Sequence, residues 1–414
     1  MKAIFKGYRK AGVVVSLFIS IVVLSKCINH GDETAFDIRG KKYTGAQACK
    51  SCHQPIFDAY LQTAHHHTSS AASAHTIKGS FAQAHNVFEY SDSLKIVMEE
   101  KNGGFFQTAY ENGVKKESQP FDVVMGSGRK AQTYLYYDST KVFQLPASYF
   151  VTEHSWANSP NFPRNFPKFD RSIPTGCFGC HSSFAQVQQS YKGFQLEEVF
   201  EKGKIIYGID CERCHGPGAD HITYQASHPT EKNAKFMTRI ASLSRQQQID
   251  MCAICHSGFR DMQQPAFGFK PGDALSDYFL PEYKIVDPNH IDVHGNQSQL
   301  MMASQCYLQS KTLTCTSCHD VHKKERDDMT VFSQRCINCH KSVDHSFIKE
   351  DKKLNATVQS NCVDCHMPLK ASSVITMLTK QKTSAKPDFI RTHLVKVYPD
   401  ETKKVLLYLE HKGM

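Results

Sequence analysis

Apolar positions along this chain fall into three regimes. Residues 11–25 form one apolar run behind Lys2, Lys6, Arg9 and Lys10. That run is shorter than the roughly 20 residues of a comfortable membrane span. With its basic lead it has the layout of an export signal over 1–26. Residues 28–42 are polar and read as a tether. Periodicity predicts a helix over 54–64, ending in His65-His66-His67, and residues 68–80 read as a loop. Between 86 and 145 the pattern changes to short apolar or alternating runs at 86–90, 94–99, 105–110, 121–125, 132–137 and 141–145. Turn formers such as Gly103-Gly104, Asn112-Gly113 and Asp138-Ser139 separate them. That is a strand-and-hairpin pattern, and it predicts a small antiparallel β module over 86–150. Proline-rich loops follow, from 160 to 174, next to the single tryptophan, Trp156. Beyond them large aliphatic runs are sparse. Short helices are predicted over 196–204 and 243–251, and a closing strand or helix over 404–410.

By length, 414 residues make two or three domains, and the cysteines change what fills them. Of sixteen, fourteen fall in seven C-x-x-C-H units. In chain order these are site one (Cys49, Cys52, His53), site two (Cys177, Cys180, His181), site three (Cys211, Cys214, His215) and site four (Cys252, Cys255, His256). Site five (Cys315, Cys318, His319), site six (Cys336, Cys339, His340) and site seven (Cys362, Cys365, His366) complete the set. Such a unit is the attachment signature of c-type haem: each thiol can form a thioether to a vinyl group, and the histidine reaches the iron from the same side. A redox dithiol would need a βαβ setting, and zinc would not require histidine after every second cysteine. Seven covalently bound haems are expected, and they would replace much of a polypeptide core.

Two cysteines remain. Cys27 follows Leu24-Ser25-Lys26, which resembles a lipoprotein signal with Cys27 as the lipidated mature N-terminus. Lys26 departs from the usual small residue, and an uncleaved anchor is the alternative. Cys306 reads as a small buried apolar side chain. The expected organisation is a signal peptide at 1–26, a lipidated N-terminus and tether at 27–42, and the first haem site at 43–85. The β module follows at 86–150, a six-haem domain at 151–400 and a tail at 401–414. The formal charge of +9 includes five basic groups in 1–26, leaving 44 basic against 40 acidic groups. Haem propionates would bring the mature protein near neutral or acidic, so no nucleic-acid partner is expected.

The sixth ligand of each iron decides the chemistry. A second histidine saturates the iron for electron transfer, whereas an open position can bind a substrate. His221 and His322 lie six and three residues after a proximal histidine, and His345 lies five after one. None of these can reach the far side of its own haem, but each can point at an adjacent one. His65 ends the helix after site one, and His154, His294 and His393 sit in or next to loops. His66, His67, His75, His85, His228 and His290 are read as surface or structural histidines.

The stretches Y-T-G-A-Q-A-C-K-S-C-H, G-I-D-C-E-R-C-H-G-P-G, L-T-C-T-S-C-H-D-V-H and N-C-V-D-C-H-M-P resemble the exported multihaem cytochrome c family. That superfamily holds the nitrifier tetrahaem cytochrome, hydroxylamine oxidoreductase and pentahaem nitrite reductase. V-M-G-S-G-R-K-A-Q-T-Y-L-Y, Q-L-P-A-S-Y-F, W-A-N-S-P and H-G-N-Q are most similar to a group of it sometimes fused to tetratricopeptide repeats. The resemblance covers residues 43 to about 400. It implies a mainly α and irregular fold organised around stacked haems, with the β module inserted after the first site. It also favours His65, His154, His221, His294, His322, His345 and His393 as distal ligands. The chain departs from the enzymes in having no C-x-x-C-K motif, and the tyrosine cross-link of hydroxylamine oxidoreductase cannot be located.

The expectation is a heptahaem electron carrier, more an electron-transfer protein than an enzyme, held outside the cytoplasm at a membrane by a lipid anchor. It would work between redox donor and acceptor proteins, among them a quinol-linked membrane donor. The alternative is a reductase of hydroxylamine or a small nitrogen or sulfur oxyanion at one five-coordinate haem, drawing on Arg129 and Lys130 or on His66 and Tyr60. A third reading makes the protein a partner subunit docked through its β module.

Overall fold

The computed structural model describes residues 37–193, 195–281, 286–326, 328–343, 345, 352–378 and 385–411. The expected signal peptide, Cys27 and residues 28–36 of the tether lie outside them. No helix among the described residues is long and apolar enough to cross a membrane.

The alternating runs pair as antiparallel strands. Val87–Glu89, Leu94–Lys101, Gly104–Glu111 and Val114–Pro120 form a four-stranded sheet in chain order. Asn102-Gly103 and Asn112-Gly113, all at positive φ, make two of its turns, as the twist of tight hairpins demands. The last strand reads V-K-K-E-S-Q-P and has no apolar alternation, so periodicity misses it. It is a largely exposed edge, and its lysines guard against pairing with another chain.

A second, seven-stranded sheet takes the order Ser69–Ala71, Val123–Met125, Ala131–Asp138, Lys141–Gln144, Arg171–Ser172. Ala147–Phe150 joins it through Ala131–Asp138 and carries Ser155–Asn158 on its other side. The strands of this β region thus run from 69 to 172, beyond 86–150 in both directions. Both sheets contribute to one core, with Ile96 and Met98 from the first and Val124, Tyr134 and Tyr136 from the second. Trp156 is 4% exposed at its centre. The rings of Tyr149 and Tyr134 lie 5.3 and 5.4 Å from it, and its indole N–H donates to the Ser80 carbonyl at 2.9 Å. A Cβ on Gly79 would fall 2.1 Å from the indole ring, so the backbone there can approach only as glycine.

Beyond residue 174 the chain is built of short helices and loops with two antiparallel hairpins, so the fold is mixed rather than mainly α; the C-terminal hairpin pairs Leu369–Met377 with Lys386–Arg391, and one predicted element is corrected. Residues 196–204 are not helical. Gln195–Tyr207 is a strand paired antiparallel with Ser182–Lys192 across two bulges. The spacing of Leu196, Val199 and Phe200 mimics a helical face, but pairing with the alternating partner wins. The hairpin lays Ala185, Phe200 and Ile205 against Leu135, Val142 and Phe178. The predicted second helix is Arg245–His256, opened by a Ser244/Gln247 capping box, and the C-terminal element is the helix Pro399–His411. Apolar clusters here are small: Ile254, Ala266, Phe269, Tyr278 and Phe279; Leu354, Val358 and Leu409; Val293, Leu300 and Leu394.

Candidate haem-attachment sites and iron ligands

Six of the seven motifs lie on or at the end of an α-helix. Site one lies inside Ala46–Tyr60, which starts earlier than the predicted 54–64 and bends at His53. Pro55 lacks an N–H and crowds the preceding turn, which accounts for the bend. Site two closes Thr175–His181 and site four closes Arg245–His256. Sites three and seven are one-turn helices, Cys211–His215 and Cys362–His366, capped by the Asp210 and Asn361 side chains. Site six ends Met329–Cys339, capped by Asp328, and site five starts with the 3₁₀ turn Cys315–Ser317. Helical spacing puts cysteines i and i+3 and the following histidine on one side, which is the arrangement two thioethers and one iron bond need.

Thiols of different sites meet. Cys49 and Cys211 are in side-chain contact, as are Cys180 and Cys255, Cys252 and Cys315, and Cys336 and Cys362. Cys214 lies within electrostatic range of Cys255, and Cys318 within range of Cys336 and Cys339. Together these contacts join site one to three, three to four, four to both two and five, five to six, and six to seven. Cys306 is half-buried near Cys318 and Cys339.

Two imidazoles on opposite faces of one metal, each bonded at about 2.0 Å, place their ring centroids roughly 6 Å apart. Three proximal histidines face a second histidine at that spacing. His215 and His322 are 6.0 Å apart and near-parallel, at 18°. His319 and His393 are 6.2 Å apart at 26°, and His65 and His256 are 6.2 Å apart at 69°. His181 has His294 as an electrostatic neighbour. Burial pushes His65 and His393 down to about 4 and lowers His181, His215, His256, His294 and His319 as well. At neutral pH these rings are uncharged, the form that binds a metal. The side chains of His181, His256 and His319 are nevertheless exposed.

Outer partners orient several rings. His366 Nδ1 lies 3.0 Å from the Lys396 carbonyl and His221 Nδ1 lies 2.8 Å from that of Lys235. A carbonyl only accepts, so Nδ1 carries the proton and Nε2 keeps its lone pair. His181 Nδ1 meets Thr68 Oγ1 at 3.2 Å, and His256 Nδ1 meets Gln297 Oε1 at 3.3 Å. These facing imidazoles, with paired thiols beside them, are the donor set that c-type haem needs.

The remaining distal candidates stand apart from these pairs. His221 sits on the helix Ala219–Ser227, and His154 is exposed at φ +48° in the turn after Ala147–Phe150. Neither has a histidine ring beside it among the described residues. His345 is half-buried. Lys130, a candidate for substrate handling, is bonded to the Asp388 carboxylate at 3.1 Å and the Phe389 carbonyl at 3.0 Å. It joins the β region to the C-terminal hairpin. Tyr60 is buried, which raises its pKa, and His66 packs edge-on to it at 5.1 Å.

Sequence reading missed a buried ionic cluster around site three. Arg39 contacts Asp37, Asp210 and Glu212 at 2.9, 2.8 and 2.8 Å. Glu212 also accepts from the backbone N–H of Thr44, Gly45 and Gly218. Arg213 donates to the carbonyls of Ala266, Gly179 and Phe269. The signal available was the opposite charges between the two cysteines of C-E-R-C-H.

Comparison with known proteins comes to the same place. The family profile for cytochrome c554 and c-prime matches residues 156–216, a stretch that holds sites two and three. The chain is similar to a solved structure described as outer cell wall cytochrome OcwA, with a TM-score of 0.53 and 18% identity. The match covers 90% of this chain and 84% of that one. No curated protein matches. The chain therefore shares its fold with that cytochrome, and the profile match supports covalently bound c-type haem.

Proposed function

We propose that this protein is a heptahaem c-type cytochrome that carries electrons through closely spaced, histidine-ligated haems. The observation that carries the reading is the set of three proximal histidines facing a second histidine at 6.0–6.2 Å. Bound haem would supply a one-electron iron couple, and a second imidazole closes the iron to substrate. His322 would complete the ligation begun by His215, His393 that of His319, His65 that of His256, and His294 that of His181. His221 is assigned to site one, because its helix starts against the Lys42 carbonyl just before that site. His345 and His154 are left for sites six and seven. The thiol contacts order the sites as one, three, four, five, six, seven, with two branching from four.

The apolar run at 11–25 and Cys27 support an exported lipoprotein at a bacterial membrane, and the likeness to a cytochrome described as outer cell wall supports a periplasmic or cell-surface place. Its partners would be redox donor and acceptor proteins, with a quinol-linked membrane donor the natural source of electrons. The test is an EPR spectrum of the purified ferric protein beside a pyridine haemochrome count. Seven haems per chain, all low-spin, are expected. A stoichiometric high-spin signal that responds to nitrite, hydroxylamine or sulfite would replace this reading with the reductase.

A further inference from the structure

We propose that Glu212 and Arg213, the two residues between the site-three cysteines, impose opposite electrostatic fields on the sites they join, favouring an electron at sites two and four over site one. The inference rests on the heptahaem reading above.

In a C-x-x-C-H turn the two middle residues lie away from the thioether side, so they are free to face neighbouring sites. Glu212 faces site one. Its side chain is fully buried and takes the N–H groups of Thr44 and Gly45, which lead into the site-one helix, at 3.1 and 2.9 Å. Three carboxylates, Asp37, Asp210 and Glu212, share the single guanidinium of Arg39. The cluster is net negative, and the charges of Asp210 and Glu212 act on the Cys49 thiol of site one.

Arg213 faces the other way. It is 9% exposed, and its hydrogen bonds run to backbone carbonyls: Ala266 at 2.8 Å, and Gly179 and Phe269 at 3.4 Å each. Gly179 lies between the cysteines of site two. The Arg213 charge acts on the thiols of Cys180, Cys214 and Cys255, of sites two, three and four. Its Nε is buried without a hydrogen-bond partner, and no carboxylate forms an ion pair with it among the described residues.

The sign follows from charge. Ferric iron carries one more positive charge than ferrous, so a buried anion favours the ferric state and lowers a potential. A buried cation does the reverse, and low local dielectric strengthens both effects. With haem bound, an electron given up at site one would be gained at site two or four, with no other reactant consumed.

Potentiometric titration followed by EPR, on the full-length protein with its haems, tests this. R213M is expected to lower the potential of a subset of haems by about tenfold in the one-electron equilibrium, roughly 59 mV, whereas R213K keeps the native values. E212Q is expected to shift a different subset upward. D37N, outside the motif, should give a smaller upward shift and stands in for E212Q if that variant loses a haem. Shifts of the same sign in R213M and in E212Q or D37N, or no shift with seven haems attached, overturn the proposal. Fewer than seven haems in the unaltered protein would instead remove the reading beneath it.

Discussion

The β region over 69–172 and the helical region after it solve the problem of an interior in different ways. The first buries large side chains against each other: Trp156, Tyr134, Tyr136, Phe121, Ile96 and Met98 share one core. The second has only scattered apolar clusters. It brings histidines and cysteine thiols of different sites together instead. Burial of apolar surface at about 25 cal/mol per Å² stabilises the first region from its own sequence. The second would draw that term from bound haem, and its stability would then be coupled to haem attachment.

Withholding haem attachment should break the comparison most visibly. The chain produced without haem is expected to keep slow hydrogen exchange over 87–158 and to exchange markedly faster, though still with some protection, across sites three to seven. Equal protection of both regions would show that the helical region needs no cofactor. Next in size is Trp156→Ala, which should cost the β region about 3–5 kcal/mol, as large-to-small core changes do. Denaturant unfolding would measure this, and the haem absorbance of the native protein should stay unchanged.

Acid should act on the helical region alone. In the haem-free chain His65 and His393 fall to about 4 from an ordinary value of 6.5. The unfolded chain therefore takes up protons first as pH falls. Stability contributed by the neutral rings is full above about 6.5 and is lost between there and about 4. A chemical-denaturation series across that window should show the loss after site two and little of it in the β strands. His322→Met should alter one low-spin signal and leave seven haems attached. Unchanged spectra would remove His322 from the ligand set. Smallest of all is Lys130→Met. Its ion pair with Asp388 is half-exposed, so stability should fall by less than about 1 kcal/mol, with no effect on any haem signal.

Legibility differed between the two regions for related reasons. Hairpins with Asn-Gly turns were readable because strand alternation and turn chemistry are local. The edge strand Val114–Pro120 was not readable, since an exposed edge needs no apolar face. The strand Gln195–Tyr207 was read as helix because its partner, Ser182–Lys192, supplies the deciding contacts. Among the site residues, the seven proximal histidines follow from their spacing to cysteine. Distal histidines carry no such marker. His322, three residues from His319, meets His215 instead, and His393 comes from far along the chain to meet His319.

The sequence by itself determined the attachment chemistry, because two thioethers and one iron bond need cysteine, cysteine and histidine within a single helical turn. It also determined the tight hairpins, whose twist needs Asn-Gly at positive φ. Only the tertiary structure decided which histidine faces which and which thiols lie side by side. It alone showed that Glu212 looks to site one while Arg213 looks to sites two and four. Those facts depend on distances between segments from 26 residues apart, for Cys336 and Cys362, to 191 apart, for His65 and His256, and no local pattern encodes them.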